Sequence, residues 1–304
     1  MIRLTINNII LWAILLGIFF IPFNSWSGIG FLGEYYRDSC FLFFSFAFVL
    51  TLFKKRIQIP LNNLIFQFLI LFILWSFLAT LLNAHNILDY YFKQTTGISR
   101  FINQFGSLII ASIIIPLTFY NGFKKININN IFRIIRKVIL ASLIIVFVYS
   151  IIEILIVKLN MVYLKKPLLN LFDYFPFTEA KTDMRLQRIS SVTFEPPALG
   201  TYLLSIAGWM FSYVLTEKNK LKYLPLIIVL FLGFMSGSRA AFFAIIIQFM
   251  IAVIFFVKHK NLSKNIYKIL LGFSAILLLT LAYFNKPIIE YLKKEINSFK
   301  LDDS

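Results

Sequence analysis

Apolar runs of about 18 residues or more recur along this chain, separated by short basic stretches, and that alternation leaves few folds open. In hydrocarbon a backbone must satisfy its own hydrogen bonds, so runs of this kind are helices. Nine candidate spans follow: 6–23, 37–53, 61–82, 101–120, 138–158, 197–215, 223–238, 240–257 and 266–284. The expected fold class is all-α, a polytopic integral membrane bundle of about nine transmembrane helices. It would form one multispan domain over 1–304, with 285–304 the start of an outer loop. A composition 60% hydrophobic, against roughly half in soluble domains, agrees. The first run, MIRLTINNIILWAILLGIFFIPF, is followed by NSWSGIG and no A-x-A-like cleavage site, so it reads as a span that stays.

The formal charge of +17 invites a nucleic-acid reading, but the basic residues form no single stripe or tail, and no nucleic-acid partner is expected. They instead carry orientation. One set of connections holds Arg3, Lys54, Lys55, Arg56, Lys124, Lys125, Arg133, Arg136, Lys137, Lys218, Lys220, Lys222, Lys258, Lys260, Lys264 and Lys268. That is 16 of the 30 basic residues with one of the 13 acids, Glu217. Short Lys/Arg-rich connections stay in the cytoplasm, which puts the N-terminus inside and the C-terminus outside. An abundance of Ile, Asn, Lys and Phe fits an AT-rich bacterial genome. The single cysteine, Cys40, lies in an apolar run and excludes a disulfide framework and a cysteine metal site.

The same charge logic divides residues 223–257. Lys222 and Lys258 both belong to the inner set, while one helix of 35 residues would be roughly 52 Å long against a hydrocarbon core of about 30 Å. Two short spans with a hairpin at Ser236-Gly237-Ser238 meet both constraints and put Arg239 at the outer mouth. A helix start there offers N–H groups and a positive dipole end; Gly237 admits close approach, and Ser236 and Ser238 add hydroxyl donors. Such a set suits a phosphate-like anion. The competing reading, an arginine reaching to lipid headgroups, stays open on this segment alone.

The longest outer connection, about 159–195, ends in RLQRISSVTFEPPALG. Thr193 can cap the next helix, and Pro196-Pro197 suit its first turn. Arg188 and Glu195 are then either surface charge at a helix start or, with Arg239, part of one outer vestibule. Arg100, ahead of span 101–120, is an interfacial anchor or a third member. Glu153 lies inside a span near its outer end, where a carboxylate is costly and either functional or paired. His259 falls in a lysine cluster and reads as solvated; His85, in NAHN, is a weak candidate base. GIGFLG at 28–33 matches G-x-G-x-x-G by letter but has no strand before it and no βαβ unit around it, so it reads as a turn. Tyrosines near span ends, among them Tyr36, Tyr90, Tyr120 and Tyr223, read as belt residues.

Two stretches together carry a resemblance. RISSVTFEPPALGTYLL, followed about 40 residues later by FMSGSRAAFFA, resembles the bacterial O-antigen ligase and O-antigen polymerase family over roughly residues 60 to 284. The matching positions are Arg188, Glu195-Pro196, Gly200 and Ser238-Arg239. The resemblance implies a multispan inner-membrane glycosyltransferase of the GT-C type, working at the outer face without metal or other cofactor. Its substrate would be a glycan on undecaprenyl diphosphate, with membrane lipid and a chain-length regulator as further partners. Polymerases join repeat units, and ligases move the finished glycan to lipid A core; the Glu-Pro-Pro form looks more like a polymerase. Carried over, Arg188 and Arg239 hold the diphosphate, with Arg100 a weaker match; on the residues themselves Ser238 adds a hydroxyl donor to that site and Glu195 is the substitute base, so the catalytic pair is Arg239 and Glu195. Family members continue into a large outer loop with a histidine base, and neither His85 nor His259 matches it, so the resemblance implies a chain lacking the C-terminal part. Two other classes stay open: a transporter for an anionic lipid-linked glycan, and a non-catalytic remnant.

Overall fold

The computed structural model describes residues 6–28, 35, 37–54, 57–88, 91–92, 95–124, 126–158, 161, 163, 176–179, 188–260 and 272. The expected span 266–284 apart from Gly272, the segment 285–304, Tyr36, Tyr90 and all but Gly28 of GIGFLG lie outside them. The described chain is mostly helical. It forms two compact units, Met1–Thr182 with Ser191–Phe194, and Asp183–Ser190 with Glu195–Ser304.

The first unit holds α1 (Ile6–Phe19), α2 (Cys40–Leu52), α3 (Leu64–Leu82), α4 (Ala84–Leu88), α5 (Gly97–Ile109), α6 (Ile115–Phe123) and α7 (Ile128–Val157). A two-residue pairing, β1 (Tyr91–Phe92) with β2 (Thr95–Thr96), closes the turn before α5. Side-chain caps set several starts. Asn63 accepts from the N–H groups of Ile65 and Phe66, Thr96 from Ser99, and Asn127 from Asn129. Between α5 and α6 the helix widens to a π turn at Ile110–Ile114. Pro116 follows it, and a proline ring inside a helix displaces the carbonyl four residues back, which a wider turn accommodates.

α1 stops at Phe19, earlier than the apolar run suggests, because the chain turns through Pro22. Its last carbonyls would be orphans in an apolar interior. Buried hydroxyls take them: Ser142 of α7 donates to Phe19 O at 2.8 Å, and Ser39 reaches Phe23 O at 2.5 Å and Phe20 O at 3.2 Å. Around them Phe19 stacks on Phe23 and Phe20 on Phe43, while Phe177 meets Phe20 and Phe43 edge-on. Gly17 lets α1 and α2 close up, since a Cβ there would overlap the Phe44 ring. α7 begins ten residues before the expected span, so Arg133 and Arg136 sit within the helix and not in a connection. Arg136 is buried, with its guanidinium over the Phe132 ring at 5.6 Å.

Glu153, buried near the end of α7, finds its partner in the backbone. The N–H of Ser191 donates to Glu153 Oε2 at 2.6 Å, and the Ser191 hydroxyl donates to Val146 O at 2.8 Å. Ser191 has a left-handed φ of 55°, and Val192 and Thr193 beside it are buried. An irregular backbone inside such a bundle needs an acceptor for each buried N–H, and a carboxylate is a strong one. Glu153→Leu removes the acceptor and is expected to cost about 1–3 kcal/mol. Glu153→Gln keeps an oxygen in place and is expected to cost much less. Thermal unfolding in detergent, followed by tryptophan fluorescence, checks this; equal losses in the two variants would refute it.

The second unit holds α8 (Pro196–Thr216), a 3₁₀ turn at Lys220–Tyr223, α9 (Leu224–Met235) and α10 (Arg239–Lys260). α8 packs on both α9 and α10 around Leu203, Met210, Leu232, Ile245 and Phe249, all fully buried. Glycines set the spacing here too, with a Gly208 Cβ 3.3 Å from Gln248 Nε2 and a Gly233 Cβ 3.1 Å from the Phe242 ring.

Among the described residues, four helical stretches are long and apolar enough to cross a membrane: Leu64–Leu82, Gly97–Phe123, Ile128–Val157 and Pro196–Thr216. α3 presents apolar side chains nearly all round, with Trp75 65% and Leu82 82% exposed and only Phe66 and Ile73 buried. An all-apolar exposed helix is stable in lipid and not in water. The protein is a helical membrane protein. α1, α2 and α9, at 14, 13 and 12 residues, rise only about 18–21 Å and are each shorter than a roughly 30 Å core.

Candidate functional site

The break expected at Ser236-Gly237-Ser238 is present. α9 ends at Met235, α10 begins at Arg239, and Gly237 between them has φ 65°. That left-handed backbone is open to glycine at little cost. Ser236 pins the turn: its buried hydroxyl donates to Gly233 O at 2.8 Å and accepts from Ser238 N at 3.3 Å. The expectation that Ser236 offers its hydroxyl to a ligand is therefore corrected; the group is spent on the hairpin. Ser238 starts the next helix, its carbonyl accepting from Phe242 N at 3.0 Å.

Arg188 lies on this hairpin. A Cβ at Gly237 would stand 3.0 Å from Arg188 Cγ and 3.1 Å from both Cδ and Nε. The arginine stem thus crosses the one residue of the turn that has no side chain. Arg239 follows two positions later, so its Cα is at most about 7 Å from that of Gly237. Both arginines are exposed at the surface of the unit.

The EPPALG segment meets the same turn. Glu195 occupies the N-cap position of α8 with extended backbone, and Pro196 and Pro197 fill the first turn. Thr193 is not the cap; it is buried two residues earlier. The Glu195 side chain makes no capping hydrogen bond and is exposed, although its backbone carbonyl accepts from Leu199 N at 3.3 Å. One turn further on, a Cβ at Gly200 would stand 2.8 Å from Ala241 Cβ, 2.9 Å from Ser238 Cβ and 3.1 Å from Ser238 Oγ. Gly200 lets α8 touch the start of α10. Glu195 lies five residues before that contact, about 7.5 Å along the helix axis.

Arg188, Glu195, Gly200, Ser238 and Arg239 therefore all belong to the second unit, and direct contacts join Arg188 to Gly237 and Gly200 to Ser238. Arg100 belongs to the first unit, where it lines a cavity with Thr80, Asn86, Ile87, Gly97, Phe101 and Gln104. His85 is an exposed residue of the short helix α4. Sequence reasoning missed the role of Gly200 as a spacer. Its signal was available, because a glycine inside a helix costs about 1 kcal/mol against alanine and invites the question of what comes close.

The cluster combines two guanidinium groups, a serine and the N–H groups that open a 22-residue helix, with a carboxylate on the neighbouring helix start. Cations and N–H donors at one helix terminus bind phosphate-like anions, and the carboxylate can take a proton from a hydroxyl. Comparison with known proteins returns no matching family model, no matching curated protein and no matching solved structure.

Proposed function

We propose that this protein is a membrane glycosyltransferase that polymerises undecaprenyl-diphosphate-linked oligosaccharide repeats into a surface polysaccharide of the bacterial envelope. The observation that carries the reading is the seating of Arg188 on Gly237, which joins the two sequence segments that resemble O-antigen polymerases. In this reading Arg188 and Arg239 grip the diphosphate, with the α10 N-terminus and Ser238 beneath it. A sugar hydroxyl of the acceptor forms a bond to the anomeric carbon as the carbon–oxygen bond to diphosphate breaks. The hydroxyl proton passes to the Glu195 carboxylate, and the two guanidinium groups stabilise the departing anion.

Geometry along the membrane normal supports the same reading. With the lysines Lys218, Lys220 and Lys222 inside, Ser236 stands fourteen residues from Lys222, about 21 Å of helical rise. Against a core of about 30 Å, the hairpin would be recessed below the outer boundary. A recess suits a substrate whose diphosphate is tethered to a prenyl chain in the outer leaflet.

The full chain, expressed in a polymerase-null strain, is expected to restore a ladder of chain lengths on gel analysis of extracted polysaccharide. Material bearing a single repeat, with the protein present in the membrane, would refute polymerase activity.

A further inference from the structure

The carboxylate assigned to proton transfer sits on a backbone held from both sides. Downstream, Pro196 confines Glu195 to extended backbone, and its φ of −157° and ψ of 159° are those of a residue before proline. Upstream, Phe194 is held twice within the first unit. Its N–H donates to Asn24 Oδ1 at 3.0 Å. The Arg37 guanidinium stands 5.7 Å from its ring centroid, a cation–π distance.

Asn24 lies just beyond the end of α1 and is buried. Its amide serves two partners at once: Oδ1 takes the Phe194 N–H, and Nδ2 donates to Asp38 Oδ1 at 3.3 Å. An N–H needs an acceptor and a carboxylate needs a donor, so the two partners fix which way the amide points. Few side chains can do both. Aspartate at 24 would set two carboxylates face to face, and alanine would strip the Phe194 N–H of its acceptor. The stretch that carries Asn24 is itself fastened. Glu179 N donates to Ser25 Oγ at 3.0 Å, Ser27 N donates to Glu179 Oε1 at 2.7 Å, and Trp26 Nε1 donates to Arg37 O at 2.5 Å. A buried amide on a fastened turn is a preorganised support, able to hold a reacting group in place through the residue next to it.

We infer that Asn24 is a positioning residue for the transfer: by holding the Phe194 N–H it fixes the direction in which the Glu195 carboxylate leaves the backbone. The inference rests on the transferase reading, in which Glu195 takes the acceptor proton. It assigns Asn24 no contact with substrate. Its effect therefore falls on turnover and not on substrate affinity, which Arg188 and Arg239 supply.

The test uses the full chain in liposomes, with the lipid-linked single repeat extracted from the polymerase-null strain as substrate. Asn24→Ala is expected to lower kcat per folded protein by about tenfold or more, with KM changed less than about twofold. Hydrogen exchange of the 189–195 backbone is expected to quicken several-fold in the same variant. Asn24→Asp is expected to lose kcat as well, and adding Asp38→Asn to recover most of it, because the swap restores both hydrogen bonds. This pair carries the comparison if Asn24→Ala does not fold. Unchanged kcat in Asn24→Ala, a loss confined to KM, or a swap that restores slow exchange without restoring kcat overturns the positioning role alone. Unchanged exchange in Asn24→Ala overturns it equally, since the bond would then hold nothing. A wild-type chain that forms no polymer rejects the transferase reading and the positioning role with it.

Discussion

Arg188→Ala is expected to lower polymer formation by about 10²–10³-fold while leaving the protein folded in the membrane. The size follows from the role. A preorganised donor aimed at a leaving diphosphate contributes most at the transition state, and its removal at comparable sites costs that range. Stability is expected to change little, because Arg188 is exposed and its stem rests on a glycine. Arg188→Lys keeps the charge but loses the planar fork, and a fork is what grips two phosphate oxygens at once. Lysine is therefore expected to recover only part of the activity. The ratio of long to single-repeat chains, at matched protein levels, checks both variants. Full activity in Arg188→Ala would remove the diphosphate from this hairpin. Arg239→Ala is expected to match it in size, since both cations act on one anion, and the double variant is expected to lose much less than the product of the two single losses.

Much of the fold can be read from local chemistry. The Ser236-Gly237-Ser238 break follows from charge placement and helix length alone, and the structure puts φ 65° at its centre. The start of α8 follows from a double proline. What eludes such reading has specific causes. α7 begins at Ile128 and not near 138, because hydropathy reports what lipid tolerates, and a helix can run past the bilayer on Asn129, Arg133 and Arg136. Glu153 signals a partner but not which one. Its partner is the N–H of Ser191, a group that every residue but proline carries. Ser236 and Ser238 are equivalent by letter, and only the direction of the Ser236 hydroxyl separates pin from candidate donor. The meeting of Arg188 with Gly237 spans 49 positions and has no local signature. Glycine with left-handed φ marks a turn, but what crosses above it is a tertiary fact.

That crossing makes Gly237→Ala the most informative single change. Two costs arise together. The left-handed backbone penalises any Cβ by about 1–2 kcal/mol. The new methyl would also stand at 3.0–3.1 Å from three atoms of the Arg188 stem, tighter than ordinary van der Waals contact, and the stem must shift. A total loss of about 2–3 kcal/mol is expected, with polymer formation down by at least about tenfold, because displacement of a positioned guanidinium is felt at the reacting centre. Gly237→Asn separates the terms: asparagine tolerates left-handed backbone, so it relieves strain while keeping the steric conflict. A double-mutant cycle separates them further. With Arg188→Ala present, Cγ, Cδ and Nε are gone, so the second change should cost only its backbone term. The losses in thermal stability should then be less than additive. Strict additivity would mean that Arg188 does not rest on Gly237, and with that the joining of the two segments on which the proposed diphosphate site depends would be lost.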